Sequence, residues 1–255
     1  MIGCIIQARM GSSRLPGKTL KLINGETPML KFQLEQLKFS KLLKKIYIAT
    51  TTLDMDNTIV DFCKKNNLNC FRGDSKDVLD RYYQCAKSNN LSIIIRISSD
   101  NPLIDPKIVD QVINMFINSD LDYLSTENPK RTFPLGFLVE IFNFKSLKKA
   151  WNEAKLPSER EHVTPYLYKN KSLFKQSTYS YIEDISQIRC TVDTQDDFNL
   201  IEKIISKIHE RPIYLENVLK LLDDEPKLLE FNKHIKHDGY ERSLNEDIEF
   251  LKNNV

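Results

Sequence analysis

Glycine is scarce in this chain, at 7 of 255 residues, and the dinucleotide-binding pattern GxGxxG occurs nowhere in it. The five cysteines, Cys4, Cys63, Cys70, Cys85 and Cys190, form no CxxC pair, and no His/Cys group has zinc-ligand spacing. Odd in number and often set in apolar runs, they read as reduced core thiols of a cytosolic protein. Cys4 with one of four histidines would make a nucleophile and base. A thiol inside a buried strand is normally inert, however. No run approaches the roughly 20 apolar residues that a membrane span requires. Gln7, Arg9 and Arg14 interrupt any signal-peptide order at once, so a cytoplasmic location with no membrane partner is expected. Neither sign of charge dominates: 37 Lys and Arg against 35 Asp and Glu leave a formal +2. Such a chain has no whole-molecule field for gripping nucleic acid, and any anion binding must come from a local cluster.

What is present is a soluble globular balance, 41% hydrophobic and 28% charged, over a length that allows one large α/β domain. Strands are expected at 2–7, 45–50, 69–71, 92–98, 122–125, 138–144, 177–181 and 188–192. The runs GCII, IYIA and IIIRI are continuous rather than alternating, as in strands covered on both faces of a parallel sheet. Helical apolar periodicity falls at 28–39, 56–66, 76–89 and 106–118. This alternation predicts right-handed βαβ units and a mostly parallel, doubly wound, Rossmann-like sheet, whose ligands bind at the carboxyl ends of its strands. From about Asn199 the pattern turns helical and polar. The division expected is 1–210 for the main domain and 211–255 for a helical C-terminal extension packed on it or on a dimer partner.

The segment from Gln7 to Lys18, QARMGSSRLPGK, follows the first strand directly and gathers two of the seven glycines, two arginines, a lysine and two serines. Glycine lets backbone N–H groups approach a phosphate, and Arg and Lys neutralise it. The segment is not a P-loop, because five residues rather than four separate Gly11 from Gly17. A basic exposed turn is the plain alternative.

Those twelve residues resemble, without a gap, the signature of the CTP-dependent sugar-acid cytidylyltransferases, the group of the 3-deoxy-manno-octulosonate and acylneuraminate enzymes. The similarity is greatest to the SpsF-type branch of spore-coat polysaccharide biosynthesis proteins. Arg72-Gly73-Asp74 with Asp77-Val78-Leu79-Asp80-Arg81-Tyr82, the block from Arg96 to Asp105, Glu161 to Tyr166, and Thr191 to Thr194 extend the resemblance to about residue 200. The C-terminal fifty residues carry little of it.

The resemblance implies the nucleotide-diphospho-sugar transferase fold and transfer of CMP from CTP to an acidic acceptor, with pyrophosphate release. It implies magnesium held by Asp100 and Asp193, a nucleotide site at Gln7, Ala8, Arg9, Gly11, Ser12, Arg14, Lys18 and Arg96, and catalytic roles for Arg14, Lys18 and Asp100. A homodimer is expected, and no nucleic-acid partner. Nucleotidyl transfer builds charge on phosphate oxygens, and magnesium on one or two carboxylates is the usual answer.

Each residue also has a plainer reading. Asp100 precedes Asn-Pro and suits a turn, Asp193 suits a helix cap, and Asp105 before Pro106 reads as an N-cap. Acceptor contacts are expected from Arg72, Glu140 and His162. The alternatives are a solvated strand-edge charge for Glu140 and a capping histidine for His162. Arg72, Asp74 and Arg81 are candidates to line the acceptor or nucleotide cleft, with a pairing of Arg81 to Asp77 four residues earlier as the plainer reading. Arg96, on an apolar strand, requires a phosphate or carboxylate partner. Leu135 and Leu138 stand where the SpsF-type branch commonly has Asp, a departure at the acceptor end. The rival readings are a sugar-1-phosphate nucleotidyltransferase using another NTP, a metal-dependent glycosyltransferase of similar fold, and a catalytically idle binding protein.

Overall fold

The continuous apolar runs become central strands, and the periodic segments become the helices that cover them. In the computed structural model, which describes residues 1–236 and 239–253, the chain opens with β1 (Ile2–Gln7) and a small hairpin of β2 (Leu22–Ile23) and β3 (Thr27–Pro28). There follow α1 (Met29–Leu37), β4 (Ile46–Thr51), α2 (Asn57–Lys65), β5 (Asn69–Gly73), α3 (Val78–Ser88), β6 (Ile93–Ser98) and α4 (Pro106–Ile117). The second half holds β7 (Tyr123–Ser125), β8 (Glu140–Asn143), α5 (Phe144–Glu153), α6 (Pro157–His162), α7 (Pro165–Lys169) and β9 (Gln176–Thr178). It ends in α8 (Gln195–Lys207), α9 (Leu215–Asp224) and α10 (Gly239–Asn253). Residues 254–255, at the close of the expected extension, lie outside the described residues, as do 237–238.

Seven strands form one sheet in the order β5-β4-β1-β6-β8-β7-β9. All pairings are parallel except those of β8, which runs against β6 and β7. The mostly parallel sheet expected from the sequence is therefore present, with one reversed strand. Successive residues of β1 feed opposite faces. Cys4 and Ile6 join a core with α1, α4 and α8, whereas Ile5 joins one with α3 and α5. Layers on both sides explain why the central strands need unbroken apolar runs. Four cysteines are buried and free as expected, but Cys70 is exposed because β5 is the sheet's edge strand.

The expected strand at 188–192 is not one. It makes a single bridge, Leu135 with Arg189. Its backbone instead ties two loops together. Cys190 N–H donates to Leu135 O at 2.7 Å and Val192 N–H to Asp100 O at 2.8 Å. Asp105 caps α4 as read, accepting from Lys107 N at 2.7 Å, and its second oxygen accepts from Leu215 N at 2.8 Å. Ile213, Leu215, Val218 and Leu222 share one core with Ile6 and Ile97, so residues past 210 pack on the sheet's own helices.

Gly136 shows how closely these loops approach. It has φ +104°, and a Cβ there would lie 2.6 Å from the Cys190 carbonyl carbon and oxygen. Both the dihedral and the clash forbid a side chain. Gly136→Ala is expected to destabilise the protein by about 1–3 kcal/mol, read from denaturant midpoints; an unchanged midpoint would mean that the two loops separate freely.

Candidate active site

The loop after β1 folds back on itself before it meets anything else. Ser12 N–H and Gly17 N–H both donate to Met10 O at 2.9 Å, and Gly17 takes the left-handed φ of +75° that lets the chain turn there. The loop is pinned from outside at two points. Asp56 Oδ1 accepts from Met10 N at 2.7 Å while its other oxygen holds Thr51 Oγ1, and Thr19 Oγ1 donates to Arg9 O at 3.0 Å. Lys18 then opens a short 3-10 turn with its side chain nearly enclosed.

That enclosed ammonium is where the two aspartates meet. Lys18 Nζ lies 2.9 Å from Asp193 Oδ1, 3.3 Å from Asp100 Oδ2 and 2.6 Å from Val192 O. The backbone bond from Val192 to Asp100 O sets Asp193 beside Asp100, although 93 positions separate them in sequence (193 − 100). Asp193 Oδ2 accepts from Arg14 Nη2 at 3.0 Å and from Arg189 Nη2 at 2.9 Å. Burial disfavours the Asp193 carboxylate, but Lys18, Arg14 and Arg189 outweigh it and hold its pKa well below the ordinary value. Burial likewise opposes the Lys18 charge, and Asp100 and Asp193 overcome this and raise its pKa. The result is a dense cluster of fixed charges at the carboxyl rim of the sheet.

The cluster faces a cavity of about 660 Å³. Gln7, Ala8, Arg9, Ser12, Arg14, Lys18, Arg96, Asp100 and Asp193 all line it, which gathers most of the expected nucleotide and metal residues. Gly11 does not line it; a Cβ there would sit 3.3 Å from Met55 Sδ, so its place is in the loop's packing. Asp100 does lie in a turn directly after β6, and its side chain lines the cavity from there. Asp193 is not a helix cap, since Thr194 caps α8 and accepts from Asp197 N.

At the other end, Arg96 finds its partner in Glu140, with which it forms an ion pair. Glu140 is only 3% exposed and also accepts from Tyr123 Oη at 2.5 Å and Thr164 Oγ1 at 2.7 Å, so it is not a solvated edge charge. His162 lines the cavity but its Nε2 is 2.9 Å from Ser243 Oγ. Arg72 does not reach the cavity. Its guanidinium is spent on Thr51 O at 2.9 Å, Leu53 O at 3.0 Å and Asn57 Oδ1 at 2.8 Å, which brace the loop after β4. Asp77 pairs with Arg160, not Arg81. Arg81, 2% exposed, instead faces the cavity. Arg81 Nε, Arg96 Nε and Gln7 Oε1 are buried without a hydrogen-bond partner. Buried polar atoms left unmatched at a cavity are suited to a polar ligand.

Several residues here were not legible as site residues. Asp56 reads in sequence as a helix start, yet it positions the loop. Arg189 falls within the expected strand at 188–192, and Asp197 reads as part of a helix onset. Asp197 is fully buried and receives Arg189 Nε at 2.8 Å, Asp193 N and Thr194 N at 3.0 Å, and Asn232 Nδ2 at 2.8 Å. Glu127, a further lining residue, has its pKa raised by burial and by Glu140, against the pull of Arg131 and Arg96. Among the described residues no three acidic, histidine or cysteine side chains are grouped to hold a metal by themselves.

A layered α/β sheet with a cationic loop and paired carboxylates at one rim is the architecture of a nucleotidyltransferase. The family model described as Cytidylyltransferase matches residues 3–237, and the chain belongs to that family. It is 32% identical over 230 residues to the spore coat polysaccharide biosynthesis protein SpsF of Bacillus subtilis, spanning 87% of this chain and 94% of that protein. It is 28% identical over 207 residues to the 3-deoxy-manno-octulosonate cytidylyltransferase 2 of Hydrogenovibrio crunogenus, spanning 72% and 81% of the two chains. The solved structure of a cytidylyltransferase from Leptospira borgpetersenii superimposes with a TM-score of 0.86 at 36% identity, covering 92% of this chain and 99% of that one. No helix among the described residues is long and apolar enough to cross a membrane.

Proposed function

We propose that the protein transfers CMP from CTP to a sugar acid with release of pyrophosphate, in the cytoplasm and in service of a surface glycan, and that it works as a homodimer. The observation that carries this reading is the convergence of Lys18, Asp100 and Asp193 within 3.3 Å at the mouth of the glycine-bearing loop. The relatives named for spore coat polysaccharide biosynthesis and for 3-deoxy-manno-octulosonate support the acceptor class.

Asp100 and Asp193 suit a magnesium ion, because that ion asks for one or two carboxylates and takes its other ligands from phosphates and water. The Lys18 ammonium held between the two carboxylates supports this reading, since the pair already faces positive charge. Bound there, magnesium would offset the charge that grows on the α-phosphate oxygens and on the departing pyrophosphate.

The chain's own residues supply the rest. Arg9, Arg14 and Lys18 neutralise the β- and γ-phosphates, and because Arg14 and Lys18 are already held on Asp193, little reorganisation of those two is needed as charge develops. The backbone around Ala8 and Arg9 holds the pyrimidine, with the unmatched Gln7 side chain beside it. An acceptor oxygen attacks the α-phosphate in line with the leaving pyrophosphate, so the enzyme's task is alignment and electrostatics.

The test is pyrophosphate release with magnesium, each of the four NTPs and a panel of acidic sugars. CTP alone is expected to support turnover. Equal turnover with UTP or GTP would defeat the choice of donor, and consumption of a nucleotide-sugar without pyrophosphate would favour a glycosyltransferase.

A further inference from the structure

The family match stops at residue 237, and α10 begins at Gly239. Yet α10 lines the cavity with Gly239, Tyr240, Arg242, Ser243 and Glu246, whose spacing places them on one helical face. The helix is docked by directional polar contacts. Asp247, 5% exposed, accepts from Ser158 N at 2.8 Å and Ser158 Oγ at 2.6 Å, satisfying a free N–H in the first turn of α6. One turn earlier, Ser243 Oγ donates to Glu161 Oε2 at 2.7 Å and lies 2.9 Å from His162 Nε2. The His162 ring meets Tyr240 edge-on at 5.1 Å between centroids. Two buried clamps four residues apart fix which face of α10 turns inward, because neither is satisfied if the helix rotates.

We propose that α10 is the acceptor-side wall of the active cavity and that Arg242 engages the acceptor's carboxylate; this rests on the transfer reading above. The donor end is built from the β1 loop, Asp100 and Asp193. The far end continues from the Arg96–Glu140 pair through Thr164 and α6 to α10. On α10, Arg242 is the cation on the cavity face, the charge a carboxylate requires. The Tyr240 hydroxyl is buried on the same face beside that of Tyr168, which also lines the cavity, a pair of hydroxyls that suits a polyhydroxylated acceptor. His162, read from sequence as an acceptor contact, serves this wall by holding Ser243.

The experiment compares wild type, Arg242→Ala and a chain ending at residue 236. CTP affinity is measured by calorimetry with magnesium, and pyrophosphate release is measured with 3-deoxy-manno-octulosonate, N-acetylneuraminate and their methyl esters. Wild type is expected to prefer the free acids. Arg242→Ala should raise the acceptor KM by about 10–100-fold, lose the preference for acid over ester, and leave kcat and CTP affinity within about 2-fold. The shortened chain should bind CTP and turn over neither acid. An unchanged acceptor KM in Arg242→Ala, or acceptor use by the shortened chain, overturns the proposal. So does a wild type that binds CTP but accepts none of these acids. A wild type that binds no CTP overturns the transfer reading itself, and the wall proposal with it.

Discussion

Asp100→Asn is expected to lower kcat by about 10²–10³-fold while leaving the fold in place, the range seen when one fixed electrostatic contact to a transition state is removed. The substitution keeps shape and removes charge. The contacts that organise the surrounding loops use the Asp100 main-chain carbonyl, which accepts from Val192 N at 2.8 Å and Thr191 Oγ1 at 3.2 Å. Those contacts survive in the amide. What is lost is one of the two carboxylates that flank Lys18 and that suit magnesium. The melting temperature should therefore move by no more than about 2 °C, as for a substitution worth under about 0.5 kcal/mol in a chain of this length. Steady-state pyrophosphate release and a thermal melt on the same preparation check both halves. Turnover within about 3-fold of wild type would remove Asp100 from the reaction.

The opposite pattern, large in stability first, is expected at Asp197. Its carboxylate is fully buried and gathers Arg189, two backbone N–H groups, the Thr194 hydroxyl and Asn232. Arg189 itself is 6% exposed, so removing Asp197's charge leaves a buried guanidinium with only Asp193 as counter-ion. Breaking such a pair by one partner costs about 3–5 kcal/mol. Asp197→Asn should accordingly lower the melting temperature by about 6–20 °C. It should also lower activity at temperatures where the protein remains folded, because Arg189 and the Asp193 backbone both depend on Asp197 for position. Replacing both partners, Arg189→Met with Asp197→Leu, should restore part of the stability and none of the activity. Additive losses in the double variant would show that the two side chains do not act as a pair.

How much of this was legible beforehand follows from the range of each signal. The strands β1, β4 and β6 and the helices α1 to α4 were visible because continuous or periodic apolar residues report local burial. Arg14, Lys18, Asp100 and Asp193 were singled out through the family resemblance of the segments that carry them, and the structure gathers them into one cluster. The segment 188–192 misled. Its apolar content is real, with Cys190 and Val192 fully buried, but its backbone bonds go to the loops at Leu135 and Asp100 and not to a ladder. Arg72 misled in the same way, since its neighbours on the loop after β4 satisfy it before it can reach the cavity. Of the two readings of Arg81, the cleft and the helical neighbour Asp77, the structure has the cleft, because Arg160, 83 residues away from Asp77, takes that carboxylate.

By itself, then, the sequence determined the layered α/β class and the cationic, glycine-bearing loop after the first strand, because hydrophobic period and residue chemistry are properties of a few neighbouring positions. Only the tertiary structure decided which charges meet. The Lys18 ammonium between two aspartates from distant loops, the hub at Asp197 and the seating of α10 over the cavity all depend on backbone hydrogen bonds between segments far apart in the chain. Such pairings leave no periodic trace, since each partner alone looks like an ordinary surface charge or cap until burial obliges it to find the other.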